Sequence, residues 1–309
     1  MSSDVEILEG MVVGERSRIL DFMELMKPEL TGLSVLTALC GFYLATDGAM
    51  DFLLFLWTAL GTIMVGGGAG ALNQYLERDY DGLMKRTERR PLPSGRISPQ
   101  TVVVFGVILA LGGIAALSLA VNLLTGILGS VTILSYLFLY TPLKRVTPYS
   151  TLVGGIPGAL PPVMGWSAAG RGIDEGAILL FAVLFFWQMP HFLSLAWMYR
   201  KDYARAEYKI LSVLDKDGSR TGTHCLLHSL ALLPASIGLT IAGITGYFYL
   251  AVAIFLGLGL VLYSLSFSRS AGKKNSTQQA HLTVSSRKLF FASLVYLPAL
   301  MIGMVIDKL

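Results

Sequence analysis

Long apolar runs recur along the whole of this 309-residue chain, and their length constrains the fold more than any other feature. They fall at roughly 30–45, 52–72, 101–119, 122–140, 150–168, 177–198, 227–244, 247–267 and 289–306. Each is about 20 residues long, enough to carry a helix across the ~30 Å hydrocarbon layer of a bilayer. The same runs argue against strands, because they lack the period-two alternation of a membrane barrel. With 54% hydrophobic and only 14% charged residues, and a mean hydropathy of +0.63, the composition is not that of a soluble domain. The expected fold class is all-α: a polytopic membrane protein forming a single bundle of about nine transmembrane helices over residues 29–309, preceded by a cytoplasmic segment, residues 1–28.

Basic residues give the bundle a direction. If nine segments cross, 22 of the 24 Lys and Arg residues lie on the side of the amino terminus, and only Arg171 and Lys308 lie opposite. By the positive-inside rule that side is cytoplasmic and the carboxyl terminus is outside. The net charge of +4 therefore reflects topology and implies no nucleic-acid partner. The first residues carry Asp4, Glu6, Glu9, Glu15, Asp21 and Glu24, unlike an arginine-rich transit peptide or a signal peptide, so the expected location is a prokaryotic inner membrane. Cys40 and Cys225 lie towards opposite ends of different segments without CxxC spacing, and no disulfide is expected.

Polar chemistry concentrates where the second apolar run ends, in the stretch NQYLERDYDGLMKRTERRPLPSG from Asn73 to Gly95. Asn73, Glu77 and Asp81 recur at i, i+4 and i+8, so on a continued helix they form one oxygen-bearing ridge about 12 Å long. Ionisable groups continuing a membrane helix without a break are costly and point to function. Such oxygens suit Mg²⁺, which keeps several waters and completes its shell with substrate phosphates. Arg78, Lys85, Arg86 and Arg90 lie close by in sequence, and guanidinium groups match phosphate oxygens. Carboxylates beside arginines at a membrane surface suggest a metal-bridged diphosphate, with a solvated basic loop as the plainer alternative.

Asn73-x3-Glu77-x3-Asp81, followed by Arg86-Thr87 and Arg90-Pro91-Leu92, resembles the first aspartate-rich motif of the UbiA superfamily of intramembrane prenyltransferases. Within it, that stretch together with YTPLKR at Tyr140 to Arg145, GGIPGALPPVMGW at Gly154 to Trp166 and WQMPHFLSLAW at Trp187 to Trp197 is similar to the heme O synthases. The resemblance implies an enzyme that transfers a farnesyl group from farnesyl diphosphate to a vinyl group of heme B. Heme B is then a substrate, Mg²⁺ the cofactor, and the lipid bilayer the surroundings. Heme-handling or oxidase-assembly proteins and a second copy of the chain are the implied protein partners. Asn73, Glu77, Asp81 and Asp202 are the implied catalytic and metal-binding residues; Arg78, Lys85, Arg86, Arg90, Lys144, Arg145, His191, Lys201, Arg205 and Lys209 are the implied substrate-binding ones.

The second polar loop, YRKDYARAEYKILSV, departs from the wider superfamily. Asp202 matches the first position of a DxxxD pattern, but Ala206 stands at the second, which puts a second metal in doubt. Asp202 could ligate one ion and Lys201, Arg205 or Lys209 could hold diphosphate; a charged surface helix is the alternative. His191 follows Pro190 inside the sixth segment, where a neutral imidazole could meet iron, a propionate or a proton, or serve packing alone. His224 and His228 are i, i+4 without a third ligand in reach. Pro157, Pro161 and Pro162 disrupt the fifth segment and suggest a cavity wall. Two other functions are compatible with a helical membrane chain. A prenyltransferase acting on an aromatic quinone precursor should carry the full second DxxxD; a transporter should place ionisable groups near mid-membrane, whereas here they gather at one surface.

Overall fold

The computed structural model describes residues 18–272 and 276–309, and the described chain is helical apart from short connections. The proposed N-terminal segment therefore lies largely outside the described residues. A short helix, α1 (Arg18–Leu25), precedes α2 (Pro28–Ala45), α3 (Phe52–Asp81), α4 (Pro99–Val121) and α5 (Leu123–Leu143). Next come α6 (Ser150–Ala168), α7 (Glu175–Met198), the short α8 (Arg200–Arg205) and α9 (Leu211–Leu214), then α10 (Ser219–Ile241), α11 (Tyr247–Ser270) and α12 (Ser276–Ile306). Sequence-local signals set several starts. The side chains of Asp51, Ser98, Asn122 and Asp174 each accept an amide hydrogen bond from the first turn of the helix they precede. Pro28 and Pro99 occupy first-turn positions, where no amide partner is lost.

Eight of these helices are long and apolar enough to cross a membrane. The ninth expected segment, 150–168, is also a helix, α6, but it is rich in Gly, Pro and Ser and falls below the others in apolarity. Its position explains the difference. Thirteen of its 19 residues are buried, so it faces other helices along most of its length and needs little lipid-compatible surface. It starts beside the loop carrying Lys144 and ends beside Arg171, so it runs from one end of the bundle to the other. At the far end Arg171 pairs with Asp47 at 2.6 Å, and the Lys308 ammonium donates to the carbonyls of Tyr43 and Thr46. The two basic residues expected to lie apart from the rest thus share that end.

α6 divides and joins the interior. Val163 and Trp166 belong to a large core shared with α2, α7, α10, α11 and α12, whereas Met164 packs into a smaller core with Val65, Ala69, Ala110, Leu117 and Ile133 from α3, α4 and α5. Backbone approach is closest between α2 and α6. A Cβ added at Gly165 would fall on the Ala38 carbonyl, and one at Gly41 would fall on that of Pro162. Only glycine permits that separation, the packing mode that drives helix association where lipid removes the hydrophobic driving force. Outward faces carry Leu119, Phe255, Leu262 and Val295, all exposed and apolar, as a bilayer requires. Cys40 and Cys225 are both buried and unpaired.

Candidate active site

α3 carries the oxygen ridge intact. The helix continues through Asp81, and Asn73, Glu77 and Asp81 are 0%, 5% and 1% exposed, turned into the bundle at the end opposite Arg171. Buried carboxylates need cationic or donor partners. Each ridge residue receives one from a different part of the chain. Lys27, between α1 and α2, donates from Nζ to Asn73 Oδ1 at 2.5 Å. Lys144, just after α5, pairs with Glu77 Oε1 at 2.7 Å. Arg90, in the segment returning from α3, pairs with Asp81 Oδ2 at 2.7 Å. Asn73 also donates to Thr141 Oγ1 at 2.9 Å, and Thr87 Oγ1 donates to the Asp81 carbonyl at 2.8 Å.

Neighbouring contacts hold these cations in place. Lys27 has φ of 50°, a left-handed setting unusual for a residue with a side chain, and Gln74 locks the turn by donating to the carbonyls of Glu24 and Leu25. Arg96 ties the loop after α3 to α1 through Asp21 at 2.8 Å and Glu24 at 3.2 Å. Burial, reinforced by Arg90 and Lys144, brings the Lys27 ammonium down to about 7 although part of its surface opens on a cavity. Burial also opposes charge on Lys144, but Glu77 and the tyrosines around it outweigh that and raise it well above the usual lysine value.

Beneath the ridge, a cavity of about 210 Å³ extends into the bundle. Lys27 sits at its polar end. Thr31, Ser34, Gly66, Gly70, Tyr136 and Tyr140 line one part, and Gly154, Pro157, Gly158, Trp187, Gln188 and Phe192 line another. The proline-bearing helix α6 is thus one wall, as its sequence suggests. Gln188 Nε2 donates to the Gly155 carbonyl at 2.8 Å and holds α7 against that wall.

The remaining expected site residues divide. Arg86 reaches across to the second loop, donating to Tyr203 Oη at 3.2 Å and lying over the rings of Tyr199 and Tyr203, while Arg145 lies 4.4 Å from the centre of the Tyr80 ring. Arg78 turns away from the ridge to stack on Tyr75 and pair with Asp79, because one residue beyond Glu77 is about 100° around the helix. Lys85, Lys201 and Lys209 have exposed side chains. Asp202 is engaged by Arg205, and among the described residues no three Asp, Glu, His or Cys side chains converge on one point. His191 sits elsewhere: Nδ1 lies 2.9 Å from Ser293 Oγ, and the ring packs among Trp187, Phe192 and Phe290 rather than lining the cavity. Sequence reading missed Lys27, Tyr136 and Tyr208. Lys27-Pro28 at the start of an apolar run was a usable signal; for the tyrosines only the folded neighbourhood distinguishes them.

Mg²⁺ fits this donor set. Two carboxylates and an amide oxygen on one helix face cannot form a closed protein cage, but they match an ion that keeps waters and takes further oxygens from phosphate. The ion pairs predict a stability asymmetry. Lys144→Met, which leaves Glu77 buried without its partner, should lower stability in detergent by roughly 3 kcal/mol, and adding Glu77→Gln should restore most of the loss. Thermal unfolding of the two variants against the unsubstituted chain checks this; equal losses in both would show that the pair contributes little.

Comparison with known proteins agrees with the geometry. Residues 34–295 match the model of the UbiA prenyltransferase family. The chain is 41% identical to a protoheme IX farnesyltransferase of Solibacter usitatus, covering 93% of this chain and 98% of that one, and 40% identical to the mitochondrial protoheme IX farnesyltransferase of Homo sapiens over 92% of this chain and 61% of that one. Among solved structures it is similar in fold to a digeranylgeranylglyceryl phosphate synthase, with a TM-score of 0.75 at 16% identity over 93% of this chain and 98% of that one. It is similar too to a UbiA homologue of Archaeoglobus fulgidus bound to GPP and Mg²⁺, with a TM-score of 0.61 at 14% identity over 90% and 99%. A ridge of buried oxygens above a membrane cavity, a family match across most of the chain and near-full-length relatives at about 40% identity lead to one conclusion: the chain belongs to the UbiA prenyltransferase family, and within it to the protoheme IX farnesyltransferases.

Proposed function

We propose that this protein transfers the farnesyl group of farnesyl diphosphate to a vinyl group of protoheme IX, giving the hydroxyethylfarnesyl side chain of heme O. The observation that carries the reading is the one-to-one pairing of Asn73, Glu77 and Asp81 with Lys27, Lys144 and Arg90 at the polar end of the cavity. Cations held by carboxylates before substrate arrives are positioned to receive the diphosphate, with Arg86 at the rim. Asn73, Glu77 and Asp81 would hold Mg²⁺, which when bound would supply further positive charge beside the diphosphate; the Mg²⁺-bound archaeal homologue supports this part.

The chain's own residues then manage a reactive cation. Tyr136 and Tyr140 line the cavity, with Lys27 Nζ over the first ring and Lys144 Nζ over the second, and aromatic rings at this place favour positive charge. Leu184, Trp187 and Phe192 keep that region apolar, so that the vinyl carbon meets the allylic cation before water does. After the C–C bond forms, positive charge rests on the carbon next to the pyrrole, and water adds there and releases a proton to solvent to give the hydroxyl. His191 is assigned a positioning role, because its ring backs Trp187 and Phe192. The aromatic quinone alternative is less well supported: Ala206, where its second carboxylate would stand, is 0% exposed among Met84, Ala196 and Ile210.

Incubation of the purified protein with heme B, farnesyl diphosphate and Mg²⁺ should yield an extracted heme heavier by one farnesyl group plus one hydroxyl group. An unchanged heme with consumption of the diphosphate would contradict the assignment of the acceptor. The site end is assigned to the cytoplasm of a prokaryotic cell on the distribution of basic residues. A cysteine introduced at Gly82 should then react with a membrane-impermeant reagent only from the cytoplasmic side, and one at Gly172 only from outside; reversed labelling would overturn the orientation.

A further inference from the structure

Among the described residues only Lys27 and Glu207 are non-glycine residues with positive φ, at 50° and 56°. Both flank the charged end of the cavity. A left-handed backbone at a residue bearing a side chain is strained and persists where its surroundings demand it. For Glu207 the demand is visible. The turn lets the Lys209 amide donate to the Lys144 carbonyl at 2.8 Å, fixing the second loop to the first, and it swings Tyr208 inward to 2% exposure. The Tyr208 ring lies 6.0 Å from that of Tyr80 and 5.8 Å from that of Tyr203, with Lys144 Nζ 5.9 Å from its centre.

The hydroxyl is the unusual part. It is buried, it approaches Glu77 without closing a hydrogen bond of normal geometry, and it has no other partner among the described residues. A buried phenol left unsatisfied is destabilising, and such groups in native proteins call for a ligand, water or functional explanation. Here it adjoins the Lys144–Glu77 pair. At the second position of the DxxxD pattern the loop has Ala206, sealed in an apolar cluster, while Asp202 is engaged by Arg205 and Glu207 is exposed.

We propose that Tyr208 is a catalytic residue of this chain: its hydroxyl donates a hydrogen bond to an oxygen of the prenyl diphosphate held beside Lys144, in place of the carboxylate missing from the second DxxxD position. The inference rests on the diphosphate reading of the site. As the allylic C–O bond breaks, its electron pair goes to the diphosphate oxygen while the phenolic proton stays on Tyr208, so the hydrogen bond strengthens as negative charge grows.

Tyr208→Phe tests the idea, since it keeps the ring between Tyr80 and Tyr203 and removes only the hydroxyl. Calorimetric titration of the full chain in detergent with inorganic pyrophosphate and Mg²⁺, without heme, should show affinity about ten- to hundredfold weaker in the variant, with thermal stability equal to or above that of the unsubstituted chain. Wild-type affinity in Tyr208→Phe would overturn the role of the hydroxyl while leaving the diphosphate site standing. A fall in stability with unchanged affinity would make Tyr208 a packing residue and overturn it as well. If the unsubstituted chain itself bound no pyrophosphate, both the diphosphate reading and this inference would fall together.

Discussion

Two carboxylates and an amide buried at the end of a membrane helix impose a demand that much of this fold is arranged to meet. Charge removed from water costs several kcal/mol per ion unless a partner is held in good geometry. Glu77 and Asp81 obtain theirs from Lys144 and Arg90, and Asn73 from Lys27 and Thr141. These partners come from the α1–α2 junction, the end of α5 and the segment returning from α3. The site therefore exists only when that half of the bundle has closed, and loss of one cation exposes the others to an uncompensated field. Lys27 shows the tension most clearly, since burial and two neighbouring cations disfavour its charge while the ridge favours it.

Below this polar end the fold supplies the opposite environment. α6 makes it possible: its glycines let it lie against α2, its prolines, of which Pro157 lines the cavity, interrupt its own hydrogen-bond ladder, and its two flanks bind the smaller and larger cores together. A prenyl chain needs an apolar, water-poor slot continuous with a site for its charged head. The stacking of Lys144 over Tyr140, 4.5 Å from the ring centre, marks the boundary where one environment passes into the other.

Much of this was legible in the sequence, for identifiable reasons. Helix count follows from segment length, and the ridge from i, i+4, i+8 spacing, because both depend only on local geometry. Arg90 and Lys144 carried a motif; their assignment to Asp81 and Glu77 required the fold. Arg78 was misleading because adjacency in sequence is divergence on a helix. The pairing of Asp202 with its i+3 neighbour Arg205 depends on side-chain placement that the DxxxD pattern does not carry. His191 lies on the face of α7 that meets Ser293 of α12, which no single-chain periodicity distinguishes from the cavity face in a helix apolar all round. Tyr208 was invisible because its importance lies in an unsatisfied hydroxyl, a property of the packed state alone.

The central claim is that the ridge and its cations form one diphosphate site, with the carboxylates held by Lys and Arg until metal and substrate arrive together. Calorimetric titration of farnesyl diphosphate, repeated across a series of Mg²⁺ concentrations, tests it directly. Affinity for the diphosphate should rise with Mg²⁺, and affinity for Mg²⁺ should rise with the diphosphate by the same factor, as linkage demands. Tight binding of farnesyl diphosphate that is indifferent to Mg²⁺ would contradict it.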